Sequence, residues 1–249
     1  MSGEQITSPP DAPADFPPSR LIQPNDGLDA AKIAAIILMT INHVLLAWPM
    51  PWSVIGYLIG RPCVSIFAFI MLARLAAGPP ERAPRMLARL CAWALIAQVP
   101  YYLLTSGWPL RANILVTLAI GVALIVLWLL RSKTPLVLVP IVAIVIGLPF
   151  ADRWLDGGAF IPAAQLLGFM VYRRSPDAAL AIVIVVAAIT NLVSTPWLPA
   201  VALTTLLAGL IVWVSPRLVA ITPRVPSLVF YAFYPAHLLV IWLLFGRYP

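Results

Sequence analysis

Apolar residues run through this chain in long blocks, broken at intervals by proline, arginine and small polar residues. Nine blocks approach the length a helix needs to cross about 30 Å of hydrocarbon. They cover residues 28–48, 52–76, 86–104, 112–130, 135–150, 158–172, 178–194, 199–214 and 228–245, the fifth and sixth being the shortest. Prolines 49, 51, 109, 135, 176, 196, 199, 216, 223 and 226 fall in the connections, where a residue without an N–H and with a locked φ stops a helix. No internal repeat is visible, which weighs against an inverted-repeat transporter. The pattern predicts an all-α, polytopic membrane helix bundle of about nine transmembrane helices spanning residues 28–249. Residues 1–27 hold six prolines and a single basic residue, Arg20. They lack the basic start and short apolar core of a signal peptide and read as a disordered cytoplasmic tail.

Composition agrees. Of 249 residues, 62% are hydrophobic and 10% charged, against about 25% charged in a soluble domain. The net charge of +7 would suggest a nucleic-acid partner in a soluble protein, but here the position of the charges carries the information, and no nucleic acid is expected. With a cytoplasmic N-terminus, twelve Lys and Arg gather on the inner side and four, Arg61, Arg111, Arg153 and Arg247, on the outer half. That split follows the positive-inside rule, and Trp48, Trp52, Trp108, Trp154 and Trp197 form a belt at the outer ends. Cys63 and Cys91 lie in apolar stretches, too few for a disulfide framework. No metal-ligand cluster is visible, and none is required.

Against this background the polar residues inside the spans stand out. His43 is one of two histidines and sits within the first span, where a titratable side chain is a functional-site hypothesis by default. Lys32 precedes it by eleven residues, about 16 Å along a helix axis, a layout suited to one long substrate held by its charged end and reacted at the other. Arg61 lies about 14 Å in from the outer end of the second span. Gln98, Tyr101 and Tyr102 close the third span, while Arg111, Asn113 and Thr117 open the fourth. Asn113 either serves substrate or caps its helix. His237 sits mid-span in the ninth, as a reacting group or as interhelical glue. Asn42 points about 100° away from His43 on the helix, which does not suit it to orient that ring. Spans five to eight are mostly Val, Ile, Leu and Ala, with Gln165 and Asn191 the main exceptions, so the chemistry belongs to spans one to four and nine. On the inner side, Arg74, Arg82, Arg85 and Arg89 crowd into one loop. With Lys32 they either grip a phosphorylated cofactor, for which the planar guanidinium is suited, or only fix topology and touch lipid headgroups.

Several segments together resemble the F-pilin acetylase family, the TraX-type proteins of conjugative plasmids. They are Leu28-Asp-Ala-Ala-Lys with Asn42-His43, then Gly60-Arg-Pro-Cys-Val-Ser-Ile-Phe-Ala-Phe69, Ala97-Gln-Val-Pro-Tyr-Tyr102, Asn113-Ile-Leu-Val-Thr-Leu-Ala-Ile-Gly121 and Phe230-Tyr-Ala-Phe-Tyr-Pro-Ala-His237. The spacing of Lys32 and His43 also looks like the signature of the wider membrane acyltransferase-3 group. The resemblance implies a bacterial inner-membrane enzyme of pilin maturation, moving an acetyl group from acetyl-CoA to the N-terminal amine of processed pilin, with His43 catalytic and Lys32 at the cofactor's phosphates. One departure is that Asn42 stands where the family is associated with an acidic residue before the histidine.

The expected reaction runs across the bilayer. Acetyl-CoA docks from the cytoplasm at Lys32 and the Arg82–Arg89 loop, and its thioester meets the pilin amine beside His43. A base of neutral pKa suits an α-amine whose free pKa is near 8. Arg61, or the amides of Gln98 and Asn113, would hold the oxyanion, with Tyr101, Arg111 and His237 nearby. Direct transfer and an acetyl-histidine intermediate both stay open. The alternatives are acyl transfer to a glycan or lipid hydroxyl, a non-enzymatic pilin chaperone, and a small transporter.

Overall fold

The computed structural model describes residues 27–48, 52–105, 111–151, 154–156, 158–194, 198–223 and 226–246. The expected tail over 1–26 lies outside them, as do Trp108, Trp197, Arg153, Arg224, Arg247 and the prolines at 49, 51, 109 and 196. Among the described residues there are nine α-helices and no strand beyond one isolated bridge. The helices are α1 (Asp29–Leu46), α2 (Trp52–Ala76), α3 (Arg82–Thr105), α4 (Ile114–Leu130), α5 (Leu138–Ala151), α6 (Ile161–Tyr172), α7 (Pro176–Ser194), α8 (Leu198–Val214) and α9 (Ser227–Phe245). Four of these, α1, α2, α3 and α9, are long and apolar enough to cross a membrane. Large apolar side chains cover the outside, among them Leu95, Val139, Phe150 and Leu244. An outside as apolar as the inside fits a helical bundle with hydrocarbon as its solvent.

The helices follow the apolar blocks closely, with one correction. The third begins at Arg82, not at residue 86, so Arg82, Arg85 and Arg89 stand on the first turns of α3 rather than in a loop. The reason is Pro84. A proline in the first turn of a helix leaves no hydrogen bond unmade, because those N–H groups have no intrahelical partner. The break lies earlier, at Gly78-Pro79-Pro80.

Packing centres on α2, which is held against α1, α6, α7 and α8, while α3 lies between α4 and α9. The α1–α2 seam is the closest. Gly56 and Gly60, one turn apart, face α1, and a Cβ at Gly56 would lie 2.6 Å from the Leu45 Cβ and 3.0 Å from the Asn42 carbonyl oxygen. A Cβ at Gly60 would collide with the Asn42 side chain. Small residues at such spacing let two backbones approach in a membrane, where dispersion rather than the hydrophobic effect drives association. The Cys63 thiol adds a bond to the Ala35 carbonyl, 3.2 Å away. The start of α1 has no cap of its own. Ser215, in the 3-10 segment Ser215–Ile221 after α8, supplies one: its hydroxyl accepts from the Ala31 N–H at 3.1 Å and donates to the Gly27 carbonyl. The bundle entry is thereby tied to a segment 184 residues away.

Gly56→Ala has no cheap accommodation, because both neighbours are fixed by the α1 backbone. It is expected to cost about 1–3 kcal/mol, the usual range for overpacking, and to lower the midpoint of thermal unfolding in detergent. Gly147→Ala is the control, since a Cβ there meets nothing within 4 Å, and it leaves the midpoint level or raises it.

Candidate functional site

Two cavities lie between α1, α2, α3, α4 and α9. The larger, about 560 Å³, is lined by His43, Arg61, Tyr101, Arg111, Asp156 and Tyr234 among others. The smaller, about 80 Å³, is lined by Lys32, Arg74, Met71, Met86, Phe230 and Tyr231 among others. Met39, Ile114 and Tyr234 belong to the walls of both. The two spaces therefore meet end to end along α1, one at Lys32 and the other at His43, about 16 Å apart by helix rise. Three of the lining helices carry a proline next to a wall residue of the larger cavity: Pro62 beside Arg61, Pro100 beside Tyr101 and Pro235 beside Tyr234. Each removes one intrahelical hydrogen bond and pushes back the preceding turn.

His43 meets His237 across the α1–α9 contact, its Nδ1 2.8 Å from the His237 Nε2. The His237 Nδ1 lies 2.9 Å from the Phe233 carbonyl oxygen on its own helix. A carbonyl only accepts, so the His237 Nδ1 carries the proton and donates it. In a neutral ring the Nε2 is then a bare acceptor, and the His43 Nδ1–H must donate to it. The His43 Nε2 is left with a free lone pair, on a ring that lines the larger cavity. This is the protonation pattern a general base needs. Phe233 stacks on His237 with ring centroids 4.9 Å apart, and Tyr234 flanks both imidazoles. Both histidines are buried, at 7% exposure each.

The other expected site residues divide. Arg61 lines the same cavity as His43, its guanidinium 3.6 Å over the Tyr57 ring and 3.2 Å from the Asn191 side-chain oxygen. Asn191 in turn donates to Thr205 at 3.0 Å. The polar residue of the seventh span thus braces an arginine of the second, and the walls of this cavity come from α1, α2, α3, α4 and α9 and from connections, Asp156 included. Tyr101 and Arg111 also face this cavity. Gln98 and Asn113 do not line it. Asn113, fully buried, caps α4 by accepting from the Leu115 N–H at 3.0 Å and donates both amide hydrogens, to the Ala94 carbonyl and to Gln98, each at 2.8 Å. Gln98 donates to the Arg111 carbonyl at 2.9 Å. Their expected oxyanion role gives way to a clasp of α3 on α4, because these amides are already engaged. Asn42 packs on Gly60 and makes no bond to His43; His237 occupies the place of an orienting acid.

At the other end, Lys32 is 4% exposed, bonds Asp29, and lies 5.3 Å from the centre of the Phe230 ring. Asp29 also pairs with Arg74 at 3.4 Å. Two cations thus share one carboxylate at the small cavity, leaving one positive charge over. Arg82, Arg85 and Arg89 are exposed on α3 and line neither cavity. Arg74, not these three, is the arginine that stands with Lys32. Asp156 went unmarked in the sequence because it sits in the Trp154-Leu-Asp-Gly-Gly stretch of a connection, where no periodicity singles it out.

A model of the family described as TraX protein matches residues 27–245. No curated protein and no solved structure matches the chain.

With only two histidines present, 15N spectra of histidine-labelled protein in a bilayer mimic should resolve both rings. Both are expected as Nδ1–H tautomers with an unprotonated Nε2. In His237→Ala the His43 ring loses its acceptor and its single tautomer, a population of Nε2–H appearing.

Proposed function

The chain belongs to the TraX protein family, and on that footing we propose that it is a membrane acetyltransferase that moves an acetyl group from acetyl-CoA to the N-terminal amine of processed conjugative pilin. The observation that carries this reading is the His43–His237 pair, with its free nitrogen on a cavity that adjoins a second, cationic one through a common wall. The Lys32-to-His43 spacing, similar to that of the membrane acyltransferase-3 group, supports it. So does the charge pattern of the connections, which favours a cytoplasmic N-terminus and nine passes of the bacterial inner membrane.

Lys32 and Arg74 are suited to the phosphates of the donor, with Arg82, Arg85 and Arg89 on the exposed start of α3 adding positive field at the same cytoplasmic rim. The smaller cavity is too tight for an extended thioester arm as it stands. Its walls include Met39, Met71 and Met86, unbranched side chains that repack at low cost. The shared wall at Met39, Ile114 and Tyr234 is where the two spaces would join into one path. In the larger cavity the incoming ammonium first gives one proton to water. As the amine nitrogen attacks the thioester carbon, His43 Nε2 takes the second proton, and His237 holds the ring and delocalises the charge that forms. Arg61 and Arg111 face the developing oxyanion. The carbon–nitrogen bond forms, the carbon–sulfur bond breaks, and His43 returns its proton to the departing sulfur. The products are the acetyl amide, the CoA thiol and one proton.

The test is steady-state kinetics of the protein in nanodiscs with acetyl-CoA and a peptide bearing the mature pilin N-terminus. His43→Ala is expected to lower kcat by about 10²- to 10⁴-fold, the usual worth of a general base, with little change in KM for acetyl-CoA. Lys32→Ala is expected to raise that KM about tenfold or more, a loss of about 1.4 kcal/mol or more. Transfer by wild type that is indifferent to His43 would remove the pair from the chemistry.

A further inference from the structure

The larger cavity contains one acid among its described lining residues, Asp156, and its surroundings point to a use that stabilising the fold does not explain. Its main chain is fixed on both sides. The Asp156 N–H donates to the Ala112 carbonyl at 3.0 Å, the Thr117 hydroxyl donates to the Asp156 carbonyl at 2.5 Å, and the Ala112 N–H closes the bridge on the Trp154 carbonyl at 2.8 Å. The main chain at Asp156 is thereby tied to the start of α4, and Asp156 lines the cavity.

Among the described residues that carboxylate has no bonding partner. Among the described residues no cation stands within 4 Å of it and no side chain or main-chain group bonds it; the ion pairs of the bundle belong to Asp29. Arg111 lies on the same bridge yet donates to the Leu155 carbonyl at 3.3 Å, and Arg61 is held by Tyr57 and Asn191. Asp156 is half-buried in the connection between α5 and α6, at the wall of the cavity. Here the walls already supply two guanidinium groups, so an anionic ligand has no need of it, and a neutral hydroxyl acceptor gains little from it. A cationic ligand does gain: an ammonium entering a cavity with Arg61 and Arg111 is repelled everywhere except at this residue.

We infer that Asp156 is the acceptor-positioning residue: as the one acid among the described residues lining this cavity, it takes the acceptor's N-terminal ammonium. This rests on the transfer reaction proposed above and adds to it the residue that holds the acceptor. Bound through a charge-assisted bond, the amine would be delivered to the cavity that His43 lines, and the proton steps already described would follow without change.

The experiment measures two things separately with the same mature-pilin peptide: its binding to the protein in nanodiscs without acetyl-CoA, and its KM in transfer. Asp156→Asn, which keeps the shape and removes the charge, is expected to weaken both by about 10- to 100-fold, the worth of a charge-assisted hydrogen bond, while KM for acetyl-CoA stays put. Asp156→Glu should recover part of the loss. A peptide whose α-amine is replaced by a hydroxyl should bind wild type and Asp156→Asn alike. Transfer by wild type with the same peptide KM in Asp156→Asn would overturn the inference and leave the transferase standing. Peptide binding that depends on Asp156 without any acetyl transfer would do the reverse. Recovery of peptide KM in the double variant Asp156→Asn/Arg111→Gln would also overturn it, since Asp156 would then act only as the counter-charge of Arg111.

Discussion

The short chain of hydrogen bonds from the Phe233 carbonyl through His237 to His43 ties together the rest of the structure. It joins the first helix to the last across 194 residues. A neutral imidazole buried in hydrocarbon must satisfy its N–H group, and an unpaired one costs about 1–3 kcal/mol. The chain satisfies two such groups in series and terminates in an acceptor that has no proton to give. Its direction is therefore fixed, and with it the nitrogen of His43 that remains free. The closeness of α1 to α2, set by Gly56 and Gly60, and the anchoring of the start of α1 by Ser215 both serve to hold His43 where α9 can reach it.

The same logic accounts for Asn42. A family pattern with an acid before the histidine would place that acid on the neighbouring face of α1, about 100° from the ring. In this chain the neighbouring face packs against Gly60, and the partner of His43 comes from another helix. An imidazole is a weaker orienting group than a carboxylate for a cation, but it serves a neutral ring equally well, and it places no extra charge in the membrane.

How much of this was legible beforehand depended on how local each signal was. Helix existence was readable, because each apolar block is long and its ends carry prolines; the start of α3 was misplaced only where Pro84 imitated a break. His43 and Arg61 stood out because a titratable group in an apolar run is visible without knowing its neighbours. The cap made by Asn113 was one of its two open readings, and the fold selects it. Pairing was not legible: nothing in the segment around His237 says which helix it meets. For the same reason the four arginines from Arg74 to Arg89 could not be told apart, whereas in the fold Arg74, at the end of α2, is the one that shares the Asp29 carboxylate with Lys32. Asp156 lay hidden in a connection, where side-chain direction is set by a single bridge and by no repeating pattern.

The cationic pocket and the cavity of the histidine pair share a wall, and the proposal assigns phosphate to one end and proton transfer to the other. The central claim is that these ends act on one acetyl group. Its most direct test is the intact mass of processed pilin recovered from cells that co-express this chain, as wild type or as His43→Ala at matched membrane levels. The account predicts pilin heavier by one acetyl group with wild type and unmodified pilin with the variant. Pilin of equal mass in the two strains, whether both acetylated or both bare, would contradict it.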